Sequence, residues 1–172
     1  MVLPALDRSY TIREATSSDI SVLVEIIRAA FQGVAVRFGL TVENSPKHPF
    51  NCQATWIINA MERGVRYFVL DCEGASCGCV AFEEASPDAC YLERLAVLPH
   101  QRRRGFGRAL VEHVLQEAKL IGVRRIEIGI IADHAELRDW YRKIGFVDQK
   151  TAAFPHLPFE VLFMSRVLDA SE

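Results

Sequence analysis

The chain has 172 residues, half of them hydrophobic, and its 22 acidic and 20 basic side chains leave a formal charge of −2. That length suits one domain around one core, and the apolar content excludes a disordered chain. No apolar run approaches the roughly 18 residues that span a bilayer. Residues Met1–Tyr10 place Asp7 and Arg8 where a signal peptide needs its apolar stretch. A cytoplasmic protein is expected, a single domain over 1–172 without a membrane partner. Five cysteines (Cys52, Cys72, Cys77, Cys79, Cys90) form an odd set with no C-x-x-C pair, so they read as reduced core thiols, and neither disulfides nor a metal are expected.

In chain order, Tyr10–Ala15 reads as a first strand. Thr16 and Asp19 have the spacing that satisfies free amides at a helix start, and Ile20, Leu23, Val24, Ile27 and Phe31 share one helical face. Arg37–Phe50, with Gly39, Asn44, Pro46 and Pro49, breaks that period and reads as a mobile loop. A second helix is expected over about Cys52–Arg63, stopped by Gly64. Val65–Cys72 and Gly78–Glu84 then form an antiparallel hairpin about Glu73–Ser76, with Cys77-Gly-Cys79 in a half-buried strand.

A third strand, Cys90–Leu98, ends at Pro99. Beyond the basic loop His100–Arg104, a long helix presents Leu110, Val111, Val114, Leu115 and Ala118 on one face, leaves His113 on the exposed side, and stops before Gly122. Arg125–Ala132 alternates as a central strand. Ala135–Ile144 is a shorter helix ending at Gly145, and Phe146–Lys150 and Phe159–Val167 close the chain as strands. The fold class is α/β, or α+β with a mixed sheet. Antiparallel strands come first, followed by a right-handed strand–helix–strand crossover that makes Cys90–Leu98 and Arg125–Ala132 parallel.

The segment Leu92–Leu110 reads as an anion cradle. A strand feeds a loop whose glycines allow close backbone approach, and the next helix aims unpaired amides and a positive dipole end at the same spot. Arg102, Arg103, Arg104 and Arg108 lie within seven positions; successive side chains diverge, so one or two of them can face one ligand. No lysine follows Gly107 as a P-loop requires, and Leu110 stands where a dinucleotide fingerprint needs its third glycine. Without those four arginines the chain would carry −6, an acidic domain with one basic mouth. The charge elsewhere, acidic on balance, lacks the extended basic surface of a nucleic-acid binder.

These residues resemble the GCN5-related N-acetyltransferases, the GNAT family, which use acetyl-coenzyme A. Arg102-Arg103-Arg104-Gly105-Phe106-Gly107 meets the family's R/Q-x-x-G-x-G/A loop directly after the strand end Leu95–Pro99. Tyr141-Arg142-Lys143-Ile144-Gly145-Phe146 meets its Y-x-x-x-G-F helix end. The resemblance implies a GNAT fold, a mostly antiparallel sheet flanked by about four helices and opened at a splayed parallel strand pair. It implies that backbone groups of Leu95, Ala96 and Val97 hold the pantetheine arm. The amides and side chains from Arg102 through Arg103, Arg104, Gly105, Phe106 and Gly107 to Arg108 would hold the pyrophosphate. His134 stands where the family often has asparagine, and its imidazole can still hydrogen-bond a pantetheine amide.

Transfer to an amine needs a base, because a lysine-type ammonium has a pKa of about 10.4. Glu93, two residues before Leu95, is the leading candidate, through one water; Tyr91 and Glu127 are weaker ones. Tyr141 fits the donor that assists the departing thiolate, and a strand amide near Leu95 the oxyanion stabiliser. The expected activity moves an acetyl group to a primary amine of a small molecule or peptide. A CoA-binding regulatory module, or a relative using a longer acyl group, shares the same motifs. Acceptor specificity is expected in Arg37–Phe50, with His48, and in Phe154–Phe159, with His156. Edge strands in such sheets can also pair into a homodimer.

Overall fold

In a computed structural model that describes residues 9–169, alternating apolar segments assemble into one seven-stranded sheet with helices on both faces. The reading of Met1–Arg8 and the outermost ends of the 1–172 domain lie outside the described residues. Strand β1 (Tyr10–Glu14) leads to Asp19, whose carboxylate accepts the Thr16 amide at 2.8 Å and the Arg13 guanidinium at 2.9 Å. This capping box starts helix α1 (Ile20–Phe38). The helix outruns the expected break at Arg37, because Gly39, at φ 65°, provides the left-handed cap two residues later. The remaining loop is tied by Thr41 and Asn44, each taking the other's backbone amide on its side chain, and contains a 3-10 turn at Pro49–Asn51. Helix α2 is Ala54–Glu62.

Strands β2 (Arg66–Cys72) and β3 (Ala75–Glu84) form the expected hairpin. Its turn is tighter than predicted, because Glu73 (φ 53°) and Gly74 (φ 79°) are both left-handed, the conformation that matches strand twist in a two-residue turn. Cys77 and Cys79 correct the half-buried expectation. They face opposite sides of a sheet that is covered on both, and all five cysteines are buried. The chain continues through β4 (Ala89–Val97), α3 (Phe106–Ile121), β5 (Arg125–Ile131), α4 (Ala135–Lys143), β6 (Val147–Ala153) and β7 (Glu160–Val167).

Sheet order is β1-β2-β3-β4-β5-β7-β6. Only β4 and β5 pair in parallel; every other neighbouring pair is antiparallel. The last strand therefore slots between β5 and β6, leaving β6 as a largely exposed edge. One core packs α3 and α4 onto the sheet through Val80, Phe82, Leu110, Ile126 and Phe146. The other packs α1 and α2 through Leu23, Ile27, Ile57, Val69 and Ala81. His113 differs from its exposed reading, since its ring centroid lies 4.5 Å from that of Phe68. Among the described residues no helix is long and apolar enough to cross a membrane, and no three His, Cys, Asp or Glu side chains cluster as metal ligands would.

Candidate active site

Two local irregularities open the sheet at its centre. The parallel pairing of β4 with β5 covers only Ala89, Cys90 and Tyr91 against Arg125, Ile126 and Glu127. Immediately beyond, the β3–β4 register shifts, with Cys79 opposite Ala96 but Ala81 opposite Glu93, and Arg94 adopts φ 51°. An extra residue of this kind bends and twists its strand. Here β4 parts from β5, and the β4 edge beyond Tyr91 that faces β5 is left without a strand partner. A cavity of about 680 Å³ fills the gap, with Glu93, Leu95 and Val97 on one wall and Ile128–Ile131 on the other.

The first turn of α3 closes one end. Gly105 caps the helix at φ 82°, Arg103 is left-handed at φ 66°, and the turn contains no acidic residue. The unpaired amides and dipole of this helix start therefore meet no internal carboxylate, and the alternating backbone makes a concave anion seat. Gly107 lies against Trp140: a Cβ there would sit 3.6 Å from the indole.

Of the four arginines Arg102, Arg103 and Arg108 line the cavity mouth, and three of the four guanidiniums also have partners within the fold. Arg102 donates to the Ala30 carbonyl of α1 at 2.7 Å. Arg104 donates to Gln101 Oε1 at 2.6 Å, faces Glu73 at 3.7 Å and stacks over Phe106, outside the cavity lining. Arg108 pairs with Glu112 at 3.1 Å. Arg103 is the exposed guanidinium at the rim that has no ion pair among the described residues. Ala96 likewise lies outside the lining, buried beneath the strand.

Helix α4 supplies the opposite wall. His134 caps it, its Nδ1 accepting the Leu137 amide at 3.4 Å, and its ring lines the cavity. Burial and the nearby Arg37 hold its pKa below the ordinary value despite Glu136. Tyr141, seven positions on, reaches the cavity from within the core, flanked by Trp140 and Phe146 at centroid distances of 5.0 and 5.3 Å. Burial alone pushes its phenol pKa far above the usual value, so the hydroxyl keeps its proton at neutral pH.

Glu93 stands on the α1/α2 side of β4. Burial pushes its carboxyl up to about 7, reinforced by the charge of Glu83 and a hydrogen bond to it, and opposed by Arg94 and Arg63. A hydrogen bond between two carboxyls requires one of them to hold a proton. The strand register explains the pair: Glu83 faces Tyr91 two residues along from Ala81–Glu93, which puts both glutamates on one face. That partnership depends on pairing between strands, and the sequence reading missed it. Arg94 is turned aside to the Tyr67 hydroxyl at 2.6 Å. The weaker base candidates lie outside the lining, Tyr91 at 39% exposure and Glu127 held by Arg125 at 2.7 Å. His48 and Phe159, from the two segments expected to set acceptor specificity, meet across the cavity wall with ring centroids 6.4 Å apart; His156 is exposed.

The model of the acetyltransferase (GNAT) family matches residues 24–146. An uncharacterised N-acetyltransferase of Methanocaldococcus jannaschii is 24% identical over 151 residues, covering 84% of this chain and 64% of that protein, so the chain spans less than two thirds of this relative's length. Among solved structures, the ribosomal-protein-S18-alanine N-acetyltransferase of Escherichia coli superimposes with a TM-score of 0.74 at 18% identity, covering 95% of this chain and 96% of its own. Ard1 of Thermoplasma volcanium gives 0.74 at 20% identity, with 93% and 98% covered. The PaiA N-acetyltransferase of Thermoplasma acidophilum, solved with coenzyme A, gives 0.73 at 14% identity, with 92% and 99% covered. At these identities the likeness is one of fold.

Proposed function

The chain belongs to the GNAT acetyltransferase family, and we propose on that premise that it moves an acetyl group from acetyl-CoA to a primary amine of a small molecule or peptide, by direct attack within a ternary complex. The observation that carries this reading is the convergence in one cavity of an unpaired β4 edge, an acid-free helix start, Glu93 and Tyr141. The fit to acetyl-CoA follows the shape of the gap. The free backbone groups of Leu95 and Val97 can pair with an amide-bearing pantetheine arm as a strand would, and the amides of Phe106, Gly107 and Arg108 with the pyrophosphate. Arg103 adds charge at the rim. His134, whose Nδ1 is occupied by a backbone amide, has Nε2–H left to donate to an arm carbonyl.

Glu93 takes the amine proton, directly or through one water. From an ammonium of pKa about 10.4, transfer to a carboxylate at about 7 is uphill by about 5 kcal/mol, against about 8 for an ordinary glutamate near 4.5. Burial beside Glu83 thus removes about two fifths of the free-energy cost of the proton transfer. A backbone amide near Leu95 stabilises the oxyanion. Tyr141 donates a hydrogen bond to the leaving thiolate. Its phenol is a weaker acid than a thiol of pKa about 8.5, so it stabilises that charge more readily than it surrenders a proton. The reading includes a cytoplasmic, single-domain protein without nucleic-acid or membrane partners.

Acetyl-CoA at 100 times its Kd should add about 2.7 kcal/mol of stability, a Tm rise of roughly 5–10 °C for a chain of this length, while NAD and ATP leave Tm unchanged. Mass spectrometry across an amine panel should find acetylated product. Absence of any acetyl-CoA shift at millimolar concentration overturns the reading.

A further inference from the structure

His48 lines the cavity beside Phe31 and Phe159 and is a polar group that the catalytic steps leave unused. It caps the turn Pro49–Asn51, and its Nδ1 accepts the Phe50 amide at 3.2 Å. Its ring sits among three phenylalanines, with centroids 5.7 Å from Phe31, 5.5 Å from Phe50 and 6.4 Å from Phe159. With Nδ1 occupied as an acceptor, the neutral ring carries its proton on Nε2, and that nitrogen has no protein partner among the described residues. Burial alone holds the imidazole pKa near 4, with no carboxylate or guanidinium contributing, so the ring is uncharged at neutral pH. His48 therefore offers one fixed, neutral N–H donor in an aromatic and aliphatic wall completed by Val34.

We propose that this N–H recognises an uncharged carbonyl oxygen on the acceptor, and that the acceptor is an α-amino amide with an apolar side chain. The inference rests on the acetyl-transfer reading of the same cavity. Each alternative conflicts with the wall. A free carboxylate would lie among these aromatic rings while the lining guanidiniums of Arg94 and Arg102 are already engaged by the Tyr67 hydroxyl and the Ala30 carbonyl, and the second ammonium of a polyamine would meet no anion in this wall. A simple alkylamine would leave the donor unsatisfied, whereas an amide carbonyl satisfies it without burying a charge. The apolar side chain then packs on Phe31 and Phe159, and the amine is directed toward Glu93.

The test is binding of leucinamide to the CoA-saturated protein by calorimetry, alongside its KM in acetyl transfer, with isopentylamine, leucine and spermidine as comparisons. Leucinamide should bind tightest. His48→Asn keeps an acceptor for the Phe50 amide, and so the turn, but cannot place a donor where Nε2 stands. It should raise the leucinamide Kd about 2- to 10-fold, the range of one neutral hydrogen bond, with isopentylamine and acetyl-CoA affinities unchanged. His48→Gln, whose amide nitrogen reaches the Nε2 position, should restore most of the loss. Equal weakening of leucinamide and isopentylamine, no effect on either, or tighter binding of leucine or spermidine overturns the proposal. His48-dependent binding of leucinamide without acetylated product would uphold this site and overturn the transfer reading. Efficient transfer to leucinamide with no dependence on His48 would do the reverse.

Discussion

Glu93→Gln separates a catalytic carboxylate from a merely structural one, because the two roles predict opposite effects on activity and stability. The folded protein raises the Glu93 pKa from 4.5 to about 7. Such a group contributes its stability in full below pH 4.5 and loses it as pH rises through 7, when a charge must be held in a desolvated place beside Glu83. At about 1.36 kcal/mol per pKa unit the loss is about 3 kcal/mol, and residual solvent access brings it nearer 2 kcal/mol. Glutamine has similar size and no charge to lose. The variant should therefore gain Tm over the parent as pH rises from 5 to 8.5, by roughly 4–8 °C at the upper end. Turnover should meanwhile fall about 10²- to 10⁴-fold, the usual worth of a positioned base. Thermal unfolding by circular dichroism across that pH range, paired with thiol-release kinetics, measures both. In the parent, kcat/KM should rise with pH through about 7, and Glu83→Gln should move this limb downward by removing the neighbouring charge and hydrogen bond. A Tm difference independent of pH, or unchanged turnover in Glu93→Gln, refutes the reasoning.

Tyr141→Phe should lower kcat with little change in acetyl-CoA Kd, since the ring and its contacts with Trp140 and Phe146 remain while the donor is lost; unaltered kcat removes its role. Gly78→Ala places a Cβ 2.9 Å from the Ala96 carbonyl and 3.2 Å from Leu110 Cδ1, forcing β4 away from β3 beside the bulge. It should cost about 1–3 kcal/mol in urea unfolding and weaken acetyl-CoA binding; a variant with parental stability and affinity counts against a rigid β3–β4 support.

What the sequence determines by itself is local. A glycine-rich turn feeding a helix, a tyrosine four residues before Gly145, and apolar periods of two and 3.6 all arise from contacts within a few residues, so the cradle, Tyr141 and the identity of most elements were legible. The end of α1 lies two residues past the boundary the composition suggests, at the capping glycine Gly39. Other features belong to strand order and register, which link residues far apart in the chain. The insertion of β7 beside β5 required a return across the sheet, and no local pattern encodes it. The guanidiniums of Arg102 and Arg104 reach Ala30 and Glu73, partners that exist only after α1 and the β2–β3 turn dock. The Glu83–Glu93 pair follows from β3–β4 register, and the neutral imidazole of His48 from burial among Phe31, Phe50 and Phe159. Charge and proton affinity are set by what surrounds a group, and only the tertiary structure chooses those surroundings.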